Sequence, residues 1–189
     1  MSALFNTPRE NRYWIYALLT IIAIFATLFM GRPLQQMLRD QNVQAGFFLT
    51  GMLLTALAIL FHGLKVRPTK HEFAVWFGLA AVYLMLFFRL GAPERSHLIE
   101  FSVLAVFIHK ALLERQGTER NGWKPAIFAF FLTVAIGIID ESLQLVVPNR
   151  HFTYEDILFN ALAAFMAISG SMVLQWAGNK FRPSKHLPQ

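Results

Sequence analysis

Six stretches of mostly apolar residues dominate this chain: Tyr13–Gly31, Val43–Leu64, Glu72–Leu90, Ser96–Leu113, Trp123–Val147 and Thr153–Gly178. About 20 such residues, coiled as a helix, cross the hydrocarbon core of a bilayer. Inside lipid, every backbone N–H and C=O must be satisfied by the protein, which leaves only helices and closed barrels. Stretches of this length and patterning predict helices. The expected fold is therefore all-α, a polytopic transmembrane bundle of six helices. Only 15% of the residues are charged and 56% are hydrophobic, whereas a soluble domain carries about 25% charged residues.

Residues 1–88 hold the first three helices and residues 89–178 the last three; 179–189 form a polar tail. We read these as an accessory part, a core and a cytoplasmic tail. Arg9 and Arg12 precede the first apolar run as in a signal peptide. That run exceeds a typical h-region of about 7–15 residues and no A-x-A-like site follows, so a retained helix is expected. Pro33, Pro68, Pro93, Pro125 and Pro148 stand between or at the ends of the stretches, where proline turns the chain or opens a helix. The chain has no cysteine, which removes disulfides, thiolate metal sites and cysteine nucleophiles.

Lysine and arginine give the orientation. With six spans, twelve of them share the side of the two termini: Arg9, Arg12, Lys65, Arg67, Lys70, Lys110, Arg115, Arg120, Lys124, Lys180, Arg182 and Lys185. Five lie opposite: Arg32, Arg39, Arg89, Arg95 and Arg150. Positive residues collect on the cytoplasmic side, so both termini are expected there, in the inner (cytoplasmic) membrane. The same bias accounts for the net charge of +6. No basic face or binding module suggests nucleic acid, and the expected partner is the lipid bilayer.

Against this apolar background, ionisable residues stand out at three helix ends. His97 and Glu100 open the fourth stretch, Asp140 and Glu141 end the fifth, and Glu155 and Asp156 open the sixth. A charge at mid-bilayer costs roughly 2.5–3.5 kcal/mol on insertion scales, so such residues pair, meet water or serve a function. In the six-span topology all three ends lie at the outer face. Spacings of three or four place His97 with Glu100, Glu141 and Asp140 with Gln144, and Asp156 with Asn160 on shared helix faces. Arg95, Arg150 and His151 stand just above. Together they predict an outward-facing polar pocket with apolar walls. Glu141 is favoured over Asp140 as its member, since it shares a stripe with Gln144.

Plainer readings exist for each residue. Thr153-Tyr-Glu-Asp156 has the form of a capping box. His97 could bond a loop, Glu100 could pair with Arg89 or Arg95, and Asp140 could pair with Arg150. His109 and Lys110, toward the cytoplasmic end, are expected to snorkel or bind phosphate. Asn160, Ala164, Ala167 and Ser171 form a small-residue stripe suited to helix packing.

Three segments carry a family resemblance. Glu94-Arg95-Ser96-His97-Leu98-Ile99-Glu100-Phe101 resembles the E-R-x-H-x-x-E-[FY] segment of VanZ-like membrane proteins. Ile139-Asp140-Glu141-Ser142-Leu143-Gln144 resembles their D-E-x-x-Q helix, and Pro148-Asn149-Arg150-His151-Phe152 with Asp156 and Asn160 their P-x-R-x-[FS]…D-x-x-x-N segment. The motifs come in family order over roughly residues 89–175, leaving the first two helices outside. The family's namesake is associated with resistance to teicoplanin, an antibiotic acting at the outer face; that phenotype is not carried over to this chain.

Three functions remain open. The chain could bind or remodel a lipid-linked or amphiphilic cell-envelope ligand through Arg95, His97, Glu100, Asp140, Glu141, Gln144, Arg150, Asp156 and Asn160. Arginine would hold its phosphate or carboxylate. It could be an enzyme, with His97, Glu100, Glu141 and Asp156 as candidate catalytic acid, base or divalent-metal groups. No H-E-x-x-H segment or nucleophile elbow specifies the chemistry, so no metal ligands and no cofactor are assigned. Or the charges form an ion-pair network that fixes helix register. Proton-coupled transport fits poorly, because the first three helices hold almost no charge along a path.

Overall fold

The computed structural model describes residues 6–37, 69–89, 92–117, 122–147 and 152–181, without the side chains of 29–37, 87 and 92–95. The described residues form five helices and no strand: α1 Pro8–Met37, α2 Lys70–Arg89, α3 Ala92–Gln116, α4 Trp123–Gln144 and α5 Tyr154–Phe181. The expected helix at Val43–Leu64 lies outside the described residues. By length and composition of their described residues, α1, α3, α4 and α5 can each cross a membrane.

Helix α3 is central. It packs on α1, α4 and α5, while α5 also packs on α4 and α2. The core is built from Phe101, Leu104, Ala105 and Ile108 of α3 against Ala126 and Ala129 of α4 and Ala163, Ala164, Ala167 and Ile168 of α5. Ala17 and Ile24 of α1 close one side. Alanine is frequent because small residues let helix backbones approach where no hydrophobic force drives helices together. Large apolar side chains such as Phe77, Phe128, Phe131, Leu158 and Phe165 are turned outward. This reverses the soluble-protein pattern and suits contact with lipid chains.

The bundle has two polar ends. At one, Arg115 of α3 approaches Glu10 of α1 at 4.0 Å, and His71 of α2 stacks on Phe181 of α5 at 4.8 Å. Both α1 and α2 start here. Their starts are capped in the same way. Thr69 and Glu72 exchange bonds: the Thr69 N–H donates to Glu72 Oε2 at 2.8 Å, and the Glu72 N–H donates to Thr69 Oγ1 at 3.3 Å. The Glu10 N–H donates to Thr7 Oγ1 at 3.0 Å, and the Asn6 N–H donates to Glu10 Oε2 at 2.7 Å. The threonine hydroxyls satisfy an amide of each first turn, and the glutamates reach back to an amide just before each helix.

His109 corrects an expectation. It lies near this end but is wholly buried, at 0% exposure, and does not snorkel. Its position on α3 faces the α4 and α5 side of the bundle, one residue from the half-buried Lys110. Lys110 sits over the Tyr13 ring at 5.9 Å. Residues Ala164 and Ala167 are buried against neighbouring helices, as a packing stripe requires.

Candidate functional site

The opposite end of the bundle carries the site. His97 lies one turn into α3, Glu141 in the last turn of α4, and Asp156 in the first turn of α5. One donor atom from each lies within 4.8 Å of the other two. Three chain segments separated by loops therefore bring an imidazole and two carboxylates to one point.

The layer beneath explains the convergence. Counting four residues inward along each helix leads from His97 to Phe101, from Glu141 to Gly137 and from Asp156 to Asn160. These three also touch. A Cβ placed on Gly137 would stand 3.1 Å from Asn160 Nδ2, 3.2 Å from Asn160 Cβ and 3.2 Å from Phe101 Cε1. Glycine thus lets α4 close on α3 and α5 one turn below the trio. The His97 ring stacks on Phe101 at 6.0 Å, which holds the imidazole over this apolar floor.

Hydrogen bonds orient the carboxylates. Gln144 Nε2 donates to Glu141 Oε1 at 2.7 Å, the i, i+3 pairing on one helix face. The backbone N–H of Thr153 donates to Glu141 Oε2 at 3.5 Å, and the Thr153 hydroxyl donates to Asp156 Oδ2 at 2.6 Å. This start differs from those of α1 and α2. The expected capping box at Thr153–Asp156 is replaced by a side-chain bond, and the Thr153 amide turns across to α4. Asp156 is therefore held by a hydroxyl at the edge of the trio.

Burial is severe. Glu141 and Asn160 are 0% exposed, Asp140 4% and Gln144 5%. His97, Glu100 and Asp156 are half-buried. A buried unpaired charge is costly, so such groups are met by a partner, a proton or an ion. Glu100, Asp140 and Glu141 each engage further partners. In contrast, His97 Nδ1 and both amide atoms of Asn160 are buried without a hydrogen-bond partner.

Among the sequence candidates, the structure joins His97, Glu141, Gln144 and Asp156 directly and sets Asn160 one turn below. Asp140 is buried beside Glu141, and Glu100 lies on the same turn as His97. Arg150 and His151 lie outside the described residues, as does the side chain of Arg95. Three contributors escaped the sequence reading: Gly137, Phe101 and Thr153 as a bridge between helices. The T-x-x-D pattern marked Thr153 only as a cap, and one glycine in an apolar run carries no mark of what it touches.

Two cavities lie away from the trio. One of about 910 Å³ is bounded by α2, α3 and α5 and reaches Glu72, Tyr83, Lys110 and Gln175. The other, about 710 Å³, reaches Tyr13, His109, Lys110 and Asn179.

Comparison with known proteins gives one match. The family model VanZ/LLP1 matches residues 13–175. No curated protein and no solved structure matches the chain at a significant level. The match is wider than the motif-bearing stretch: it reaches back through α1 and α2, whose apolar residues hold no polar motif to draw the eye. It takes in most of the chain, from the first apolar helix to the last turns of α5, and the protein therefore belongs to the VanZ/LLP1 family.

Proposed function

We propose that this multi-pass membrane protein binds the headgroup of a lipid-linked or amphiphilic cell-envelope ligand at the His97–Glu141–Asp156 end of the bundle. The observation that carries this reading is the convergence of those three side chains from three helices within 4.8 Å. Polar groups brought together at one end of an apolar bundle suit a ligand with a polar head and an apolar tail. Arg95 and Arg150, close by in sequence, supply guanidinium groups for a phosphate or carboxylate on that head.

The site faces outward in this reading. The other end gathers Arg9, Arg12, Lys70, Lys110, Arg115, Lys124 and Lys180 at the termini of the described helices. Such an excess marks the cytoplasmic side of an inner membrane. Both α1 and α2 start at that end, a relation that a further span within residues 43–64 would produce. Six spans with cytoplasmic termini follow, with helices α3 to α5 as the site-bearing core and the earlier helices as its support.

The second reading is catalytic. A buried glutamate, a half-buried aspartate and an imidazole at one point supply the acid and base that hydrolysis or group transfer at a headgroup requires. The register-fixing ion-pair network has less support, since the Asn160 amide one turn below the trio is left without a hydrogen-bond partner.

Native mass spectrometry of the full chain, released gently from its membrane, tests the binding reading. Wild-type protein should carry an amphiphile adduct that Glu141→Gln and Arg150→Ala each lose. An adduct pattern unchanged in both well-folded variants would overturn it.

A further inference from the structure

Two carboxylates and an imidazole converge at one point of the bundle. The His97 ring is held there by stacking on Phe101. We propose that His97, Glu141 and Asp156 bind one divalent transition-metal ion of the Zn²⁺ or Mn²⁺ class. This deepens the headgroup-binding reading and rests on it for the metal's purpose.

Four observations carry the assignment. The donor set is one nitrogen and two carboxylate oxygens, a mixture that suits zinc and manganese better than magnesium, which prefers oxygen alone. The donor atoms lie within 4.8 Å of one another. Donors around a bound ion stand about 3–4 Å apart, given bond lengths of about 2.0–2.2 Å, so a small side-chain adjustment closes the set.

The carboxylates are also oriented from behind. Gln144 holds Glu141 and the Thr153 hydroxyl holds Asp156, the outer support that ligating side chains ordinarily have. Finally, the cluster contains polar atoms with no protein partner. His97 Nδ1 is buried and unbonded, and Asn160, wholly buried one turn below Asp156, has neither amide atom bonded. A polar group in that state points to an unplaced ion or its bound water. The Asn160 amide can meet a water on the metal's inner side.

Three protein donors leave coordination positions open. Such a metal is a Lewis acid, and its outer position would take an anionic oxygen, phosphate or carboxylate, of the headgroup. The acidic cluster and an anionic ligand thereby become compatible: the ion joins groups that otherwise repel.

The test uses the full chain in detergent, with no polyhistidine tag, stripped by a chelator. Equilibrium dialysis against Zn²⁺ and, separately, Mn²⁺ should leave about one tightly held equivalent per chain by elemental analysis. His97→Ala and Asp156→Asn should each reduce it to background, and Thr153→Ala should weaken binding about 10-fold or more. His71→Ala, which alters the histidine stacked on Phe181 at the other end, should bind as wild type. No tightly held metal in wild type overturns the proposal. So does metal retained in folded His97→Ala and Asp156→Asn, or metal lost in His71→Ala.

Should both ligand variants fail to fold, X-ray absorption at the zinc edge of wild type decides. One imidazole among oxygen donors supports the site; none, or several, overturns it. The amphiphile adduct is read on the same samples. An adduct that survives without metal sinks the metal alone. Metal retained without any adduct sinks the headgroup reading and leaves the ion.

Discussion

Thr153 gives its backbone N–H to Glu141, 3.5 Å away on the preceding helix. In a capping box that amide would be met by the carboxylate three residues on, as Glu72 meets Thr69. Here the amide bridges α5 to α4, and the Asp156 carboxylate takes the Thr153 hydroxyl. A local capping pattern is thereby converted into a joint between helices, and both carboxylates of the trio hang on it.

Thr153→Ala removes the hydroxyl but keeps the amide. The loss of one hydrogen bond to a carboxylate should cost about 1.5–3 kcal/mol if the carboxylate is charged. Thr69→Ala, which removes only a cap, should cost about 1 kcal/mol. Thermal unfolding in detergent compares them. Equal small losses would show that Thr153 acts as an ordinary cap.

Gly137→Ala places a methyl group against Asn160 and Phe101 at 3.1–3.2 Å. Overpacking of this kind costs about 1–3 kcal/mol, and it should spread α4 from α5 and so separate Glu141 from Asp156. Gly78→Ala is its control: nothing lies within 4 Å of the added carbon, and alanine favours a helix by about 1 kcal/mol over glycine. The expected result is a lower melting temperature for the first and an equal or higher one for the second.

Glu10 is wholly buried and accepts from the Asn6 amide, while its partner Arg115 has a side chain 58% exposed. Glu10→Ala should therefore destabilise by about 1 kcal/mol or more, through the lost hydrogen bond of the helix start. Arg115→Ala should cost under about 1 kcal/mol, since an exposed ion pair at 4.0 Å contributes little. Denaturation of the two variants side by side checks the order; a larger loss for Arg115→Ala would contradict it.

His109 is wholly buried, and neither ring nitrogen meets a hydrogen-bond partner within 3.5 Å among the described residues. Replacing an unsatisfied polar ring by an apolar one removes that penalty. His109→Leu should leave stability unchanged or raise it, as read by melting temperature. A clear loss would mean that the ring meets a polar partner in the membrane.

Much of the fold was legible because lipid imposes a simple rule. A run such as Trp123–Ile139 has one low-energy form in a bilayer, a helix with its backbone bonds closed on itself. Residues past the apolar core were harder to read. The runs suggested Tyr13–Gly31 and Ser96–Leu113, but α1 spans Pro8–Met37 and α3 spans Ala92–Gln116. Polar residues at helix ends continue the helix once caps such as Thr7 and Glu10 satisfy its first amides. The run Glu72–Leu90 likewise marked a helix, found as Lys70–Arg89.

The sequence by itself determined that the chain is an all-helical membrane protein and that its unusual charges stand at particular helix ends. Periodicity also set which of them share a face, as the Glu141–Gln144 bond illustrates. It could not say which faces of different helices meet, because an apolar helix in lipid has no solvent-facing side to fix its rotation. Tertiary packing decided that. Gly137 allows a close approach that no larger residue would, and the rotation of α4 that follows turns Glu141 toward His97 and Asp156. The same packing took His109 away from the interface and sealed it in the core.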